Sequence, residues 1–150
     1  MKKVDQGGII GKEKLIFNKN KDLEEYYESK WKKGGYKKGY RIHKVNLSKI
    51  YHQERHASAI KFLNPKKEEI ILEAGCGKGD LALKIAKKCK KIYAIDISKS
   101  AFQKVKKKAP NNLVFKKMNL EKLEFKRNSF DKIVCVETLE HVLNPERVIR

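Results

Sequence analysis

Three glycines at alternate positions, Gly75, Gly77 and Gly79, stand between an apolar run and a helical pattern. An acid precedes them, Glu73, and another follows, Asp80. Glycine at this spacing lets the backbone turn tightly and lets a ligand approach the main chain where a Cβ would otherwise stand. Roughly twenty residues on, the next apolar run ends in Asp96, and a carboxylate there can accept hydrogen bonds from the 2′ and 3′ hydroxyls of a ribose. The glycines and the aspartate together imply an adenosine-containing ligand.

Three ligand classes of that kind compete. A dinucleotide site needs Gly-x-Gly-x-x-Gly with its pyrophosphate on the following helix. Counted from Gly75, the last glycine would fall at position 80, which is Asp80, and a carboxylate beside a pyrophosphate is electrostatically wrong. A phosphate-binding P-loop needs Gly-Lys followed by Ser or Thr, whereas Lys78 is followed by Gly79. S-adenosyl-L-methionine carries no phosphate. It has a sulfonium, an ammonium and a carboxylate, so Glu73 and Asp80 suit its cations and the loop amides suit its carboxylate. The charge of the ligand decides for this third class.

These residues need a frame. Ile70-Ile71-Leu72, Ile92 to Ile95, Leu113 to Phe115 and Lys132 to Val136 read as strands. They are continuous apolar runs, as expected when both faces of a sheet are covered. Between them, Leu81, Ala82, Ile85, Ala86 and Cys89 repeat at helical spacing, and Ser98 can cap a helix carrying Ala101, Phe102 and Val105. Asn144-Pro145-Glu146 opens a further helix. This alternation predicts an α/β fold, an open parallel sheet with helices on both faces. Upstream, a polar tail runs to about Lys21, Asp22 to Trp31 reads as a short helix that Asp22 can cap and Gly34-Gly35 ends, and a second helix runs from near Ser48 to Leu63 before Asn64-Pro65.

Ile71-Leu-Glu-Ala-Gly-Cys-Gly-Lys-Gly79 resembles the first motif of the class I S-adenosylmethionine-dependent methyltransferases, and Ala94-Ile-Asp-Ile-Ser98 the second. Met118-Asn-Leu-Glu-Lys-Leu-Glu-Phe125 resembles the third, with Asn119 where the family usually has Asp. Ser129 to His141 resembles the fourth. The resemblance covers about residues 45 to 150 and implies a Rossmann-like methyltransferase domain there, behind an N-terminal tail and helical lid at 1–44. It implies Glu73, Gly75, Gly77, Gly79, Asp96, Ile97, Asn119, Leu120 and Glu137 as cofactor-binding residues, with Ile97 beside the adenine and Glu137 facing the methyl donor. The family sheet has seven strands in the order 3-2-1-4-5-7-6. The resemblance therefore also implies a domain truncated after strand four, whose exposed edge invites pairing with another chain.

An activated sulfonium needs a nucleophile placed in line more than it needs a base. Glu140 and His141 are the nearest candidates for a catalytic role, and a structural turn is the plainer reading of both. The Glu-Thr-Leu-Glu-His run resembles the branch that includes the ubiquinone and menaquinone biosynthesis enzymes, which implies a small-molecule acceptor. The Asn-Pro-Pro-aromatic signature of base-amine methylation is missing after strand four, and Cys135 lies within an apolar strand, unlike a cytosine-C5 nucleophile. RNA methylation is the competing function, resting on net charge and on Tyr26, Tyr27, Trp31, Tyr36, Tyr40 and Arg41, aromatics among basic residues that could stack bases. A third possibility is a silent donor-binding domain. His52 and His56 share a helix face but have neither a Glu between them nor a third ligand, so no metal site is read there.

The formal charge is +19, from 37 Lys and Arg against 18 Asp and Glu. Such a charge attracts nucleic acid or an anionic membrane, but lysine far outnumbers arginine and the plainer reading is a solvated lysine surface. No apolar run reaches membrane-spanning length and no signal-peptide core is present, so the expected location is cytoplasmic. Cys76, Cys89 and Cys135 lack any Cys-x-x-Cys spacing and read as buried thiols.

Overall fold

The computed structural model describes residues 19–35 and 50–149 in full, and the backbone alone at 9–10, 13–14, 41–42 and 45–49. Tyr36 and Tyr40 of the aromatic-basic region lie outside the described residues. Two short antiparallel ladders pair Ile9–Ile10 with Glu13–Lys14 and Arg41–Ile42 with Val45–Asn46. The remaining elements are α1 (Asn20–Lys32), α2 (Leu47–Leu63), β1 (Ile70–Ala74), α3 (Asp80–Ala86), β2 (Lys91–Asp96), α4 (Lys99–Lys106), β3 (Leu113–Lys117), β4 (Lys132–Cys135) and α5 (Pro145–Ile149).

The four strands form one parallel sheet in the order β3-β2-β1-β4. In register, Ile71 sits beside both Ile92 and Lys132, and Ile92 beside Leu113. Strand β1 lies at the centre and Ile71 to Ala74 are all buried, which is why it reads as a solid apolar run and not as an alternation. The strand order reverses between β1 and β4, and in such sheets the crevice beyond the carboxyl ends at that reversal receives the ligand.

Alternate side chains feed two cores. On one face Ile71, Ile85, Ile92, Phe102 and Phe115 pack together, with the Phe102 and Phe115 rings stacked 5.1 Å apart. On the other, Leu72, Ala74, Ile95, Met118, Leu120 and Val142 form a second cluster, flanked by edge-to-face contacts among Tyr93, Phe125 and Phe130. Strand β4 is an edge of this sheet, with Ile133 60% exposed. Cys76 and Cys89 are buried, Cys135 is half-buried, and all three are free.

Two local expectations change in detail. Helix α1 starts at Asn20, ahead of Asp22, so Asp22 sits in its first turn and does not cap it. Ser98 stands at the cap position of α4 but makes no side-chain cap bond. Its hydroxyl donates to the Glu28 carboxylate of α1 instead, at 2.6 Å.

Candidate functional site

The glycine loop leaves the carboxyl end of β1 and turns through left-handed conformations at all three glycines, with φ of 82° at Gly75, 50° at Gly77 and 80° at Gly79. That region suits glycine and strains other residues. The loop is stitched to β2: Gly75 N and Cys76 N both donate to Ile95 O, at 2.9 and 2.8 Å. Gly77 N donates to Asp96 Oδ2 at 2.8 Å, and Ser98 N to Asp96 Oδ1 at 2.9 Å. The two features read from the sequence, the glycines and the aspartate, are therefore in direct contact.

The three glycines serve different ends, which corrects the expectation that all of them open the backbone to a ligand. A Cβ at Gly75 would lie 2.3 Å from the Thr138 side chain, and one at Gly79 would lie 2.5 Å from the Phe115 ring. Those two positions are glycine because neighbouring side chains already fill the space. Only at Gly77 is the nearest obstacle at ordinary contact distance, the Trp31 ring 3.5 Å away. Gly77 is the one of the three with room beside its Cα, and the Trp31 ring flanks that room.

The electrostatics around the loop are acidic and partly dry. Glu73 is 4% exposed, and its Oε2 has no hydrogen-bond partner among the described residues. Burial, and then the nearby Asp96 charge, push its carboxyl up to about 8, against the pull of the Ala82 amide. Asp96 is also raised, by burial first, although the Ser98 and Gly77 amides oppose the shift. A buried carboxylate oxygen without a partner is costly, and a cationic group is the natural thing to relieve it.

The other predicted site residues divide. Ile97 and Asn119 are half-buried near the ends of β2 and β3. The Asn119 side-chain carbonyl already accepts from Glu121 N at 2.9 Å. Leu120 is buried in the second core. Glu137 was expected to face the donor. It adopts φ 52° and pairs with Arg55 of α2, Nη1 to Oε2 at 2.8 Å, while Thr138 is the residue that closes on Gly75. Glu140 and His141 lie in a short 3-10 turn, Leu139–His141. Their side chains stand 4.0 Å apart, too far for a hydrogen bond, and the His141 ring is 6.0 Å from Tyr27. His52 and His56 join no group of three potential metal ligands among the described residues. His52 Nδ1 instead accepts from Arg55 Nη2 at 2.7 Å.

Several residues that no sequence pattern marked complete the site. Glu28 of α1 accepts from the hydroxyls of Ser98 and Ser100 and from Ser100 N, so α1 supplies the acid at the start of α4. Burial alone would raise Glu28, but those hydroxyl bonds outweigh it and hold the carboxyl down to about 2. Glu24 pairs with Lys117 of β3. Glu121 accepts from Leu143 N, Asn144 N, Asn144 Nδ2 and Asn20 Nδ2, tying the loop after β3 to the segment after β4 and to the start of α1. Helix α1 thus runs from α4 to the 3-10 turn, with Trp31 beside Gly77. Nothing local to α1 encodes these bonds, because each partner lies about 70 or more residues away in sequence.

Known proteins resemble the chain over this same region. The family profile described as a methyltransferase domain matches residues 72–150, more than half of the chain. A protein named "Probable cobalt-precorrin-6B C(15)-methyltransferase (decarboxylating)", from Methanococcus vannielii, is 42% identical over 62 residues, covering 41% of this chain and 33% of the relative. A ubiquinone biosynthesis O-methyltransferase of Albidiferax ferrireducens is 32% identical over 96 residues, covering 61% of this chain and 38% of the relative. Among solved structures, magnesium protoporphyrin IX methyltransferase from Synechocystis PCC 6803 with bound S-adenosylmethionine matches with a TM-score of 0.67 at 22% identity, over 85% of this chain and 69% of that one. At that identity the likeness is one of fold. The chain spans 33%, 58% and 38% of the length of the first curated relatives it matches.

Proposed function

The chain belongs to the methyltransferase domain family, and on that premise we propose that it binds S-adenosyl-L-methionine at Gly77 and Asp96 for transfer of the methyl group to a small-molecule acceptor. The observation that carries this reading is the Gly77–Asp96 contact beside a buried, unpartnered Glu73 oxygen. A carboxylate held in place by the Gly77 and Ser98 amides suits the hydroxyls of an unphosphorylated ribose. The Glu73 carboxyl, raised by burial, is eased toward its ionised form by a cation beside it and therefore suits one.

When bound, the donor supplies a methyl group already activated by its sulfonium. The residues of this chain then bind, orient and dry the site. Asp96 accepts from the ribose hydroxyls. Ile97, Asn119 and Leu120 form the adenine side, and Asp80 provides negative charge for the cationic end, joined by Glu73 once the cation draws off its proton. Thr138 narrows the pocket against Gly75. Helix α1, as the lid of the 1–44 segment, excludes water by laying Trp31 over the loop, with Glu28 as its anchor. Stripping water from the pocket strengthens each of these electrostatic contacts. Glu137, Glu140 and His141 stand at the acceptor mouth, and placement of the nucleophile does more there than proton removal.

A small molecule is favoured over RNA as acceptor because the mouth is acidic. The segments at the carboxyl ends of the strands, 73–80, 96–100, 118–122 and 136–144, hold six acids and three lysines. A cytoplasmic setting suits the three free thiols, and the exposed edge at Ile133 suits self-association through β4.

Calorimetry with S-adenosylhomocysteine tests the reading. We expect micromolar binding by the chain and about 100-fold weaker binding by Asp96→Ala, which loses hydrogen bonds to a charged group. Equal binding by both proteins would remove Asp96 from the site. No binding by the folded chain would remove the donor.

A further inference from the structure

The same four strands have a second end. The segments at their amino ends, 64–69, 87–91, 106–112 and 126–132, hold twelve Lys and Arg against three acids. They form one rim and not four separate loops. Lys67 Nζ donates to Lys87 O at 2.8 Å, the amides of Lys90 and Lys91 to Glu69 O, and Asn112 Nδ2 to Ala86 O at 2.7 Å. Lys132 Nζ reaches Asn64 O at 2.9 Å and Glu69 at 2.8 Å. Of the three acids, Glu69 is spent on Lys132 and Asp131 on the Ile70 amide. Most of the rim lysines are exposed and keep their charge for solvent.

This rim is where the charge of the described residues collects. Outside it those residues are close to neutral, with fifteen Lys and Arg against thirteen acids. The strands separate the rim from the donor pocket by about 15–20 Å, well beyond the ~8 Å over which salt lets charges feel one another. Among the described residues, the excess positive potential therefore belongs to the amino-end surface. Beside it, in the last turn of α2, Phe62 is 87% exposed, and the rim carries exposed amides at Asn111 and Asn128.

We propose that the amino-end rim is a docking surface for single-stranded RNA, separate from the methyl-donor pocket. The lysines meet the phosphates as point charges, which is sequence-independent. The Phe62 ring offers a platform on which an unpaired base can stack, which a duplex does not present. The side-chain amides can bond 2′-hydroxyls, which DNA lacks. A lipid surface fits less well, because an interfacial anchor buries a contiguous apolar face and the rim has a single exposed ring. RNA held here is a tether or a scaffold and not the methyl acceptor, since the acidic mouth points the other way. The proposal does not depend on the donor assignment.

The test is fluorescence anisotropy of a labelled oligouridine with the full chain, between about 50 and 200 mM salt. Lys87→Glu, Lys88→Glu and Lys90→Glu combined should weaken binding at least about tenfold and flatten the salt slope by about 2, at ~0.7 per phosphate contact. Phe62→Ala should weaken binding about tenfold with the slope unchanged. A control with the same change in net charge, Lys21→Glu, Lys99→Glu and Lys122→Glu, should stay within about threefold, since its charges lie away from the rim. Circular dichroism melts verify that each variant folds. The proposal is overturned if the chain does not bind at low salt, if the rim and control variants lose binding equally, or if the matching DNA strand binds as tightly. Binding to phosphatidylserine vesicles without binding to RNA also overturns it.

Discussion

The two ends of one parallel sheet do opposite things in this protein. At the carboxyl ends the glycine backbone is left-handed, acids surround it, and a buried Glu73 oxygen has no partner among the described residues. At the amino ends the loops carry lysine, their polar groups are tied to one another, and the surface is open. Helices α3 and α4 link the first three strands, and β4 follows β3 without a helix between them. The turns leaving the strands hold the glycine loop and Asp96, and the turns entering the strands carry the lysines. Strand ends are therefore distinguishable by what they cannot tolerate. At the carboxyl ends Gly75 and Gly79 leave no room for a Cβ, whereas most side chains of the amino-end rim are exposed.

The contrast is sharpest at Gly79. A methyl group there meets the Phe115 ring in a backbone conformation that already disfavours side chains. Gly79→Ala should cost about 3 kcal/mol of stability, from left-handed strain and overpacking together, measured by urea denaturation. Phe115→Leu in the same chain should recover part of that cost. If Gly79→Ala is neutral, the loop is not as close-packed as the geometry requires.

Next in size is the response to pH. Glu73 is raised to about 8 from an ordinary 4.5, so the native state keeps a proton that the unfolded chain releases. Its contribution is full below about 4.5 and is lost as pH rises through 8, a few kcal/mol in all. Asp96 is shifted in the same direction. Thermal melts without donor should fall between pH 5 and pH 8, and Glu73→Gln should flatten most of that slope. A wild-type melt that rises across this range would mean that Glu73 is ionised and satisfied in the native state.

A smaller effect is expected at Glu28, which anchors α1 from outside the glycine loop. Glu28→Ala should speed release of S-adenosylhomocysteine about tenfold, the worth of one charge-assisted hydrogen bond, read by stopped-flow fluorescence. Trp31 is the sole tryptophan of the chain and lies beside Gly77, so it reports directly. Because Glu28 is held down to about 2, the effect should not vary with pH across the neutral range. The smallest effect is at the rim itself: the Lys87, Lys88, Lys90 triple variant should leave donor affinity within about twofold, since screening separates the two ends. A larger change would couple the ends and weaken the contrast between them.

The sequence determined what its contiguous patterns can encode. Apolar runs located all four strands; β1, β2 and β3 extend one or two residues past the runs, and β4 stops one residue short, at Cys135. Glycine spacing located the loop, and Asp96 at the end of a run fell against Gly77 as its position required. The helices followed from period and stop signals, with Ser98 assigned to a cap it does not make. Only the tertiary structure decided which side chain occupies each opening. Thr138 fills the space at Gly75 and Phe115 that at Gly79, Glu28 takes over the start of α4, and Glu137 turns to Arg55. The charged rim was equally hidden, because its lysines are spread along the chain in four short groups that read as ordinary solvated surface. Right-handed crossovers between parallel strands bring every amino end to one side, so charges that are scattered in sequence are summed in space.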